Sequence, residues 1–264
     1  MPKLILDTME LDYNGNIAIL TLSREKALNA MNQDYFDNFK AVLNKLSAKS
    51  DLKALIITGR GNGFSVGADL KNLPIEKIDS DLDLGKSLRE NFEPMVMGLK
   101  ALPFPTIAAV NGYAAGAGMG LMLACDFTIA AKSAQFFQAF INIALVPDAG
   151  SSYFLPRIIG RARSTEMMML GEAISADDAL NMGLIYGISE EGTLMEDALR
   201  LAGKLATKPT SALIQIRALL DSSFENSLTD QLEAEAAAQQ IAGKNENFKE
   251  GVTAFNEKRQ PKFK

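Results

Sequence analysis

Apolar residues recur along this chain in two rhythms, and the switches between them predict strands alternating with helices. Ile17 to Leu22, Ala54 to Thr58 and Thr106 to Val110 are short runs rich in aliphatic and β-branched residues and read as strands. Gln33 to Leu46 follows the first, with Tyr35, Phe36, Phe39, Val42, Leu43 and Leu46 at helical spacing. The second run leads into a glycine-rich loop, Gly59 to Leu70, and the third into Gly116 to Ala124. Phe127 to Ala131 predicts a fourth strand and Gln135 to Phe137 a short fifth. Between these, Leu88, Phe92, Val96 and Leu99 mark the apolar stripe of a helix whose Glu90 and Glu93 read as a water-facing side.

From Ser151 onward the rhythm is nearly all helical. Asp177 to Met182, Leu194 to Ala206, Ser211 to Ser222, Leu228 to Ala242 and Phe248 to Lys258 are predicted helices, punctuated by Gly171, Gly183, Pro209 and Gly243. Strands alternating with helices imply an α/β fold with largely parallel pairing, in which sites collect at the carboxyl ends of strands. A soft boundary is expected near residue 200, dividing a core over 1–200 from a helical lobe over 201–264 that serves packing or assembly. Ala101 to Cys125 carries no charge and exceeds the roughly 20 residues of a bilayer helix. Pro103, Pro105, Asn111 and the glycines at 112, 116, 118 and 120 break it, however, so it reads as strand, turn and helix start.

Composition narrows the chemistry. The chain of 264 residues contains no histidine, which removes Ser-His-Asp and Cys-His nucleophilic systems and His-ligated metals. Acid and base work falls to carboxylates, Lys, Tyr or the one thiol, Cys125. A single cysteine excludes an intrachain disulfide, and Met1 to Tyr13, with Asp7, Glu10 and Asp12, does not read as a signal peptide. A reducing, cytoplasmic setting is expected. The net charge of −5, with no basic stripe interleaved with aromatics, argues against nucleic acid. Residues 244–264 nonetheless carry six basic side chains against three acidic ones, either a solvated terminal helix or a surface for an anionic ligand.

Two glycine turns could carry chemistry. Gly116-Ala117-Gly118-Met119-Gly120 follows a strand and opens a helix, but no acid occurs in residues 127–147 to hold a ribose, so a dinucleotide site is disfavoured. Phe64 to Leu70 is a second such turn. If the two converge, one backbone NH from each could grip a carbonyl oxygen as an oxyanion; otherwise both are close-packed turns. Asp148, between Pro147 and Ala149-Gly150-Ser151, is the first carboxylate after Asp126, and by residue type it is a natural helix cap. Tyr113 and Phe137 read as packing residues, and Met167 to Met169 as core or subunit interface.

Arg24 to Asn32 (REKALNAMN), Phe64 to Leu70 (FSVGADL) and Pro105 to Asp126 (PTIAAVNGYAAGAGMGLMLACD) resemble the enoyl-CoA hydratase/isomerase, or crotonase, superfamily. The likeness continues to the ending KEGVTAFNEKRQPKF, and the run around LVPDAG is most similar to the 1,2-epoxyphenylacetyl-CoA isomerase branch. The resemblance implies a ClpP-like spiral of repeated ββα units, trimers or dimers of trimers formed through the C-terminal lobe, and acyl-CoA thioester substrates. It implies an oxyanion hole at the amides of Ala68 and Ala117. It places Lys26, Ala27 and Leu28 along the CoA, and Val66, Asp69, Leu70, Gly116 and Phe140 against substrate, although Asp69 alone reads as a cap or ion pair. The basic C-terminal end would approach nucleotide phosphates, including those bound by a neighbouring subunit.

The departures from the family pattern carry the functional expectation. The two glutamates of the family's hydratases align with Gly120 and Phe140, so hydration is expected to be poor. Some relatives place an Asp at position 148 as the principal acid/base. The expectation is an isomerase that moves a double bond by proton transfer between the α and γ carbons. Asp148 would be the catalytic group, in a pocket supplied by Phe136, Phe137, Phe140, Ile141 and Leu145, with no metal, flavin or nicotinamide. A hydratase with another recruited acid, or a non-catalytic acyl-CoA-binding homologue, is the alternative.

Overall fold

A computed structural model describes residues 2–72 and 83–264. The strands are β1 (Leu4–Ile5), β2 (Met9–Asn14), β3 (Ile17–Leu22), β4 (Ala54–Gly59), β5 (Gly63–Ser65), β6 (Thr106–Val110), β7 (Tyr113–Ala115), β8 (Phe127–Ala131), β9 (Gln135–Phe137), β10 (Ile174–Ser175) and β11 (Gly187–Ser189). The helices are α1 (Gln33–Ser47), α2 (Leu84–Ser87), α3 (Glu93–Lys100), α4 (Ala117–Leu123), α5 (Ser151–Leu170), α6 (Ala176–Asn181), α7 (Leu194–Ala206), α8 (Thr210–Ser222), α9 (Leu228–Gly243) and α10 (Glu246–Asn256). A π-helical turn, Leu88–Phe92, joins α2 to α3.

Among the described residues one sheet runs β1-β2-β3-β4-β6-β8-β11, with parallel pairing from β3 onward, and a smaller one runs β10-β9-β7-β5. The strands β4, β6 and β8 each hand the chain to one strand of the small sheet, β5, β7 and β9 in turn. The result is a coil of strand-strand-helix units. The central strands β4, β6 and β8 are buried on both faces, and because side chains alternate with period two each strand serves two cores. Leu55, Ile57, Ala108, Val110 and Ala130 face the main core, while Ala54, Ile56, Ile107, Ala109 and Ile129 face α7. The reciprocal stripe on α7 is Leu194, Ala198, Leu201, Ala202 and Leu205, at spacings of four, three, one and three.

Helix α1 starts where expected because the Asn32 side chain caps it, accepting from the Tyr35 amide at 3.0 Å. Two sequence expectations need revision. The region after Ser151 is not all helical: β10 and β11 close the edges of the two sheets, and they are too short to show a periodicity. The expected boundary at residue 200 falls inside α7, which belongs to the sheet it covers; the change to a helical lobe comes at Pro209. That lobe is tied down by Arg217 of α8. Its guanidinium bonds both Asp126 oxygens at 2.8 and 2.6 Å and the carbonyls of Lys100, Leu102 and Phe104 at 3.0, 2.8 and 2.7 Å. No helix among the described residues is long and apolar enough to cross a membrane.

Candidate active site

The two glycine turns converge. In the small sheet Ser65 pairs with Ala114, so Ala68 and Ala117 stand at equivalent places, each three residues beyond a paired position. Met31 donates to the Gly67 carbonyl at 2.7 Å and accepts from the Asp69 amide at 2.9 Å, a parallel bridge that leaves the Ala68 amide pointing the other way. Gly116, at φ 51°, turns the chain into α4, whose first residue Ala117 has an amide beyond the reach of intrahelical carbonyls. Among the described residues neither amide donates to a protein acceptor. The approach is close enough to demand glycine: Gly67 has φ +84°, and a Cβ built on it would lie 2.9 Å from the Ala117 nitrogen.

The segment around Lys26 is fastened beside these turns. Glu25–Ala27 forms a 3₁₀ turn, after which Leu28 and Asn29 take the left-handed conformation, at φ 49° and 57°. The Leu28 carbonyl accepts from the Val66 amide at 3.2 Å, and the buried Asn29 donates to the Gly63 carbonyl at 2.7 Å. Lys26 is exposed. The Asp69 carboxylate bonds the Arg24 guanidinium at 2.7 Å and the Lys71 amide at 3.2 Å, which lowers its pKa. Asp69 takes both roles open to it from residue type: it pairs with Arg24 and caps the 3₁₀ turn Leu70–Asn72 through the Lys71 amide. Leu70 is largely exposed, and the buried Phe140 ring comes within 3.6 Å of where a Gly116 Cβ would stand.

Asp148 does not cap α5. The N-cap is Gly150, at φ 79°, with no side-chain cap, and the Ser151 amide bonds only the Asp148 backbone carbonyl, at 2.9 Å. Ala149, at φ 48°, and Gly150 make two successive left-handed residues that turn the Asp148 side chain away from the helix end. Its Oδ1 is buried and finds no hydrogen-bond partner among the described residues, and burial pushes the carboxyl up to about 6. It opens on a cleft of about 550 Å³ walled by Leu88, Phe92, Val96, Met97, Tyr153 and Phe154. Charges on the cleft wall are Arg89, Glu93, Lys100 and Asp221, the last two paired at 2.9 Å.

That wall corrects the expected pocket. Phe136 is fully buried in the core and Ile141 is largely exposed; the apolar side chains around Asp148 come instead from the π turn, α3 and the start of α5. Leu88, Phe92 and Val96 are legible in the sequence as a helix stripe, but nothing in the spacing says what the stripe faces. Tyr113, expected to pack, is 41% exposed. Burial raises the Cys125 thiol and the Tyr35 phenol and keeps both neutral. Position 120 is closed to any side chain: a Cβ there would lie 2.6 Å from both the Ala149 Cβ and the Ala149 carbonyl oxygen.

The family model for enoyl-CoA hydratase/isomerase matches residues 12–264. The 1,2-epoxyphenylacetyl-CoA isomerase of Escherichia coli (strain K12) is 39% identical over 247 residues, 94% of each chain. The trans-2-decenoyl-[acyl-carrier-protein] isomerase of Streptococcus mutans is 31% identical over 260 residues, 98% of this chain and 99% of that one. A crystal structure of an enoyl-CoA hydratase from Polaromonas sp. JS666 superposes with a TM-score of 0.91 at 32% identity, covering 97% of this chain and 99% of that one. Two unpartnered amides on converging glycine turns, and a half-buried carboxylate on a loop that packs against α4, are thus carried on a strand-strand-helix coil in an α/β fold shared with enoyl-CoA hydratase structures. The chain belongs to the enoyl-CoA hydratase/isomerase family, whose crotonase fold it has and whose substrates are acyl-CoA thioesters.

Proposed function

We propose that the protein is an acyl-CoA isomerase that moves the double bond of a 3-enoyl-CoA, or of a related ring-derived acyl-CoA, from the β,γ to the α,β position. The thioester oxygen accepts hydrogen bonds from the amides of Ala68 and Ala117. The Asp148 carboxylate takes a proton from the α carbon; the electron pair left behind delocalises onto the thioester oxygen as a dienolate. The carboxylic acid then returns the proton to the γ carbon, the double bond re-forms between the α and β carbons, and Asp148 is ionised again. One group can serve both steps because a carboxyl near pH 6 is mostly ionised at neutral pH yet holds a proton long enough to return it. The reaction uses no metal or redox cofactor; coenzyme A enters as part of the substrate, along Lys26, Ala27 and Leu28.

The observation that supports this reading over hydration is the unpartnered, buried Asp148 oxygen in an apolar cleft, together with the lack of room for a carboxylate at position 120. Asp148→Asn is expected to lower 3-enoyl-CoA turnover by about 10²- to 10⁴-fold with CoA-ester binding retained. Wild-type turnover by the variant, or hydration of crotonyl-CoA faster than isomerisation by the native enzyme, overturns the assignment. Exposed apolar residues on the C-terminal lobe, among them Phe224, Leu228, Ile241, Phe248 and Phe255, support assembly with further copies of the chain as trimers or dimers of trimers. Light scattering of the full chain tests this.

A further inference from the structure

The first residue of α4 carries one of the two unpartnered amides, and three residues on, along the same face, Gly120 meets the loop that carries Asp148. With a rise of 1.5 Å per residue, the two points lie about 4.5 Å apart along the helix axis. The contact at the second point leaves no slack, since a Cβ on Gly120 would stand 2.6 Å from the Ala149 methyl and 2.6 Å from its carbonyl oxygen. On the other side, Ala149 is buried and holds φ 48°, a conformation that glycine adopts without cost and alanine does not. A strained alanine persists where its surroundings fix it, and here its methyl rests on the bare Gly120 backbone.

We propose that Gly120 is a positioning residue: by seating Ala149 directly on α4, it fixes the distance between the Asp148 carboxylate and the Ala117 amide. This rests on the isomerase reading of Asp148 and adds to it a residue that touches no substrate. A single methyl at position 120 forces the loop to retreat by roughly 1 Å before contacts become ordinary, and a displacement of that size can lower turnover by about 10²-fold. The carboxylate moves while Lys26–Leu28 and the amide turns stay, so the loss falls on kcat and not on KM. A displaced loop also admits water to Asp148, so the acidic limb of the kcat/KM profile shifts from about pH 6 towards the ordinary carboxylate range.

The test compares wild type, Gly120→Ala, Gly120→Ala with Ala149→Gly, and Asp148→Asn, using one 3-enoyl-CoA substrate across pH 4.5 to 8. The proposal expects kcat to fall about 10²-fold in Gly120→Ala with KM within a few-fold of wild type. It expects the acidic limb to move down, and Ala149→Gly to restore turnover at least tenfold by removing one contact and freeing the backbone at the other. Wild-type kcat and an unmoved limb in Gly120→Ala, beside an inactive Asp148→Asn, overturn the positioning role and leave the isomerase reading standing. A loss that Ala149→Gly does not rescue overturns it too. If Gly120→Ala alone fails to fold, the double variant, which keeps the new methyl against the residue 149 carbonyl, decides: kcat below wild type with KM retained and the acidic limb moved down supports the role, and wild-type kcat with an unmoved limb overturns it. An active Asp148→Asn instead defeats the underlying reading.

Discussion

Asparagine in place of Asp148 should make the protein more stable while disabling it, and the size of the gain follows from the carboxyl's surroundings. Folding moves this group from an ordinary carboxylate value of 3.8 up to about 6, because burial disfavours the charge and no donor compensates it. Between those values the folded state binds more protons than the unfolded one, so stability falls as pH rises through this window. Below the unfolded value both states are protonated and there is no penalty; above about pH 6 the penalty is complete and constant. A shift of about two units corresponds to roughly 3 kcal/mol, and partial access of solvent to the half-buried group brings it to about 1–3 kcal/mol. Asparagine is isosteric and uncharged, so it removes this penalty. The assay is urea unfolding of both proteins at fixed protomer concentration, at pH 8 and at pH 4. At pH 8 the variant should be the more stable by about 1–3 kcal/mol, and at pH 4 the difference should approach zero. Equal stability at pH 8, or a gain that persists undiminished at pH 4, would refute the picture of an uncompensated buried charge.

Two further perturbations probe other parts of the molecule. Gly67→Ala places a methyl against the Ala117 amide at a left-handed position, and is expected to lower isomerase turnover by about 10²- to 10³-fold, the typical loss of one oxyanion donor. Unchanged turnover in a folded variant would remove those amides from the chemistry. Arg217→Met deprives Asp126 of its cation, leaving it only the Thr106 donors, takes the guanidinium donor from three loop carbonyls, and is expected to cost about 3–5 kcal/mol, read as a lowered urea midpoint. Faster hydrogen exchange in α8 at unchanged global stability would show instead that the clasp secures only the lobe.

The large sheet was legible because its strands are nearly continuous apolar runs; Ile17–Leu22, Thr106–Val110 and Phe127–Ala131 match residue for residue. The small sheet was mostly hidden. Strands β5 and β7 have three residues each, too few for a period, and lie within glycine-rich stretches that read as loops. Strand β2, Met9–Asn14, carries a strict alternation of Met9, Leu11 and Tyr13 with Glu10, Asp12 and Asn14, a legible strand signal that the longer apolar runs outshone. At the site, residue types alone left Asp148 open to helix capping. The positive φ of Ala149 and Gly150 withdraws it from that role, and an alanine in that conformation gives no warning in a sequence. Packing across elements was the least readable level: the contact between Gly120 and Ala149, and the wall of Leu88, Phe92 and Val96, depend on which faces meet after the chain has coiled.

The equivalence of Ala68 and Ala117 across paired strands bears on what this scaffold can vary. Both amides lie three residues past a paired position, on turns so close that a Cβ on Gly67 would stand 2.9 Å from the Ala117 nitrogen. On the proposed reading, the grip on a thioester oxygen is therefore set by main-chain winding, which side-chain changes outside the glycine turns barely touch. On that reading, selectivity among acyl groups falls to the apolar side chains of the cleft, and electronic activation to the architecture itself.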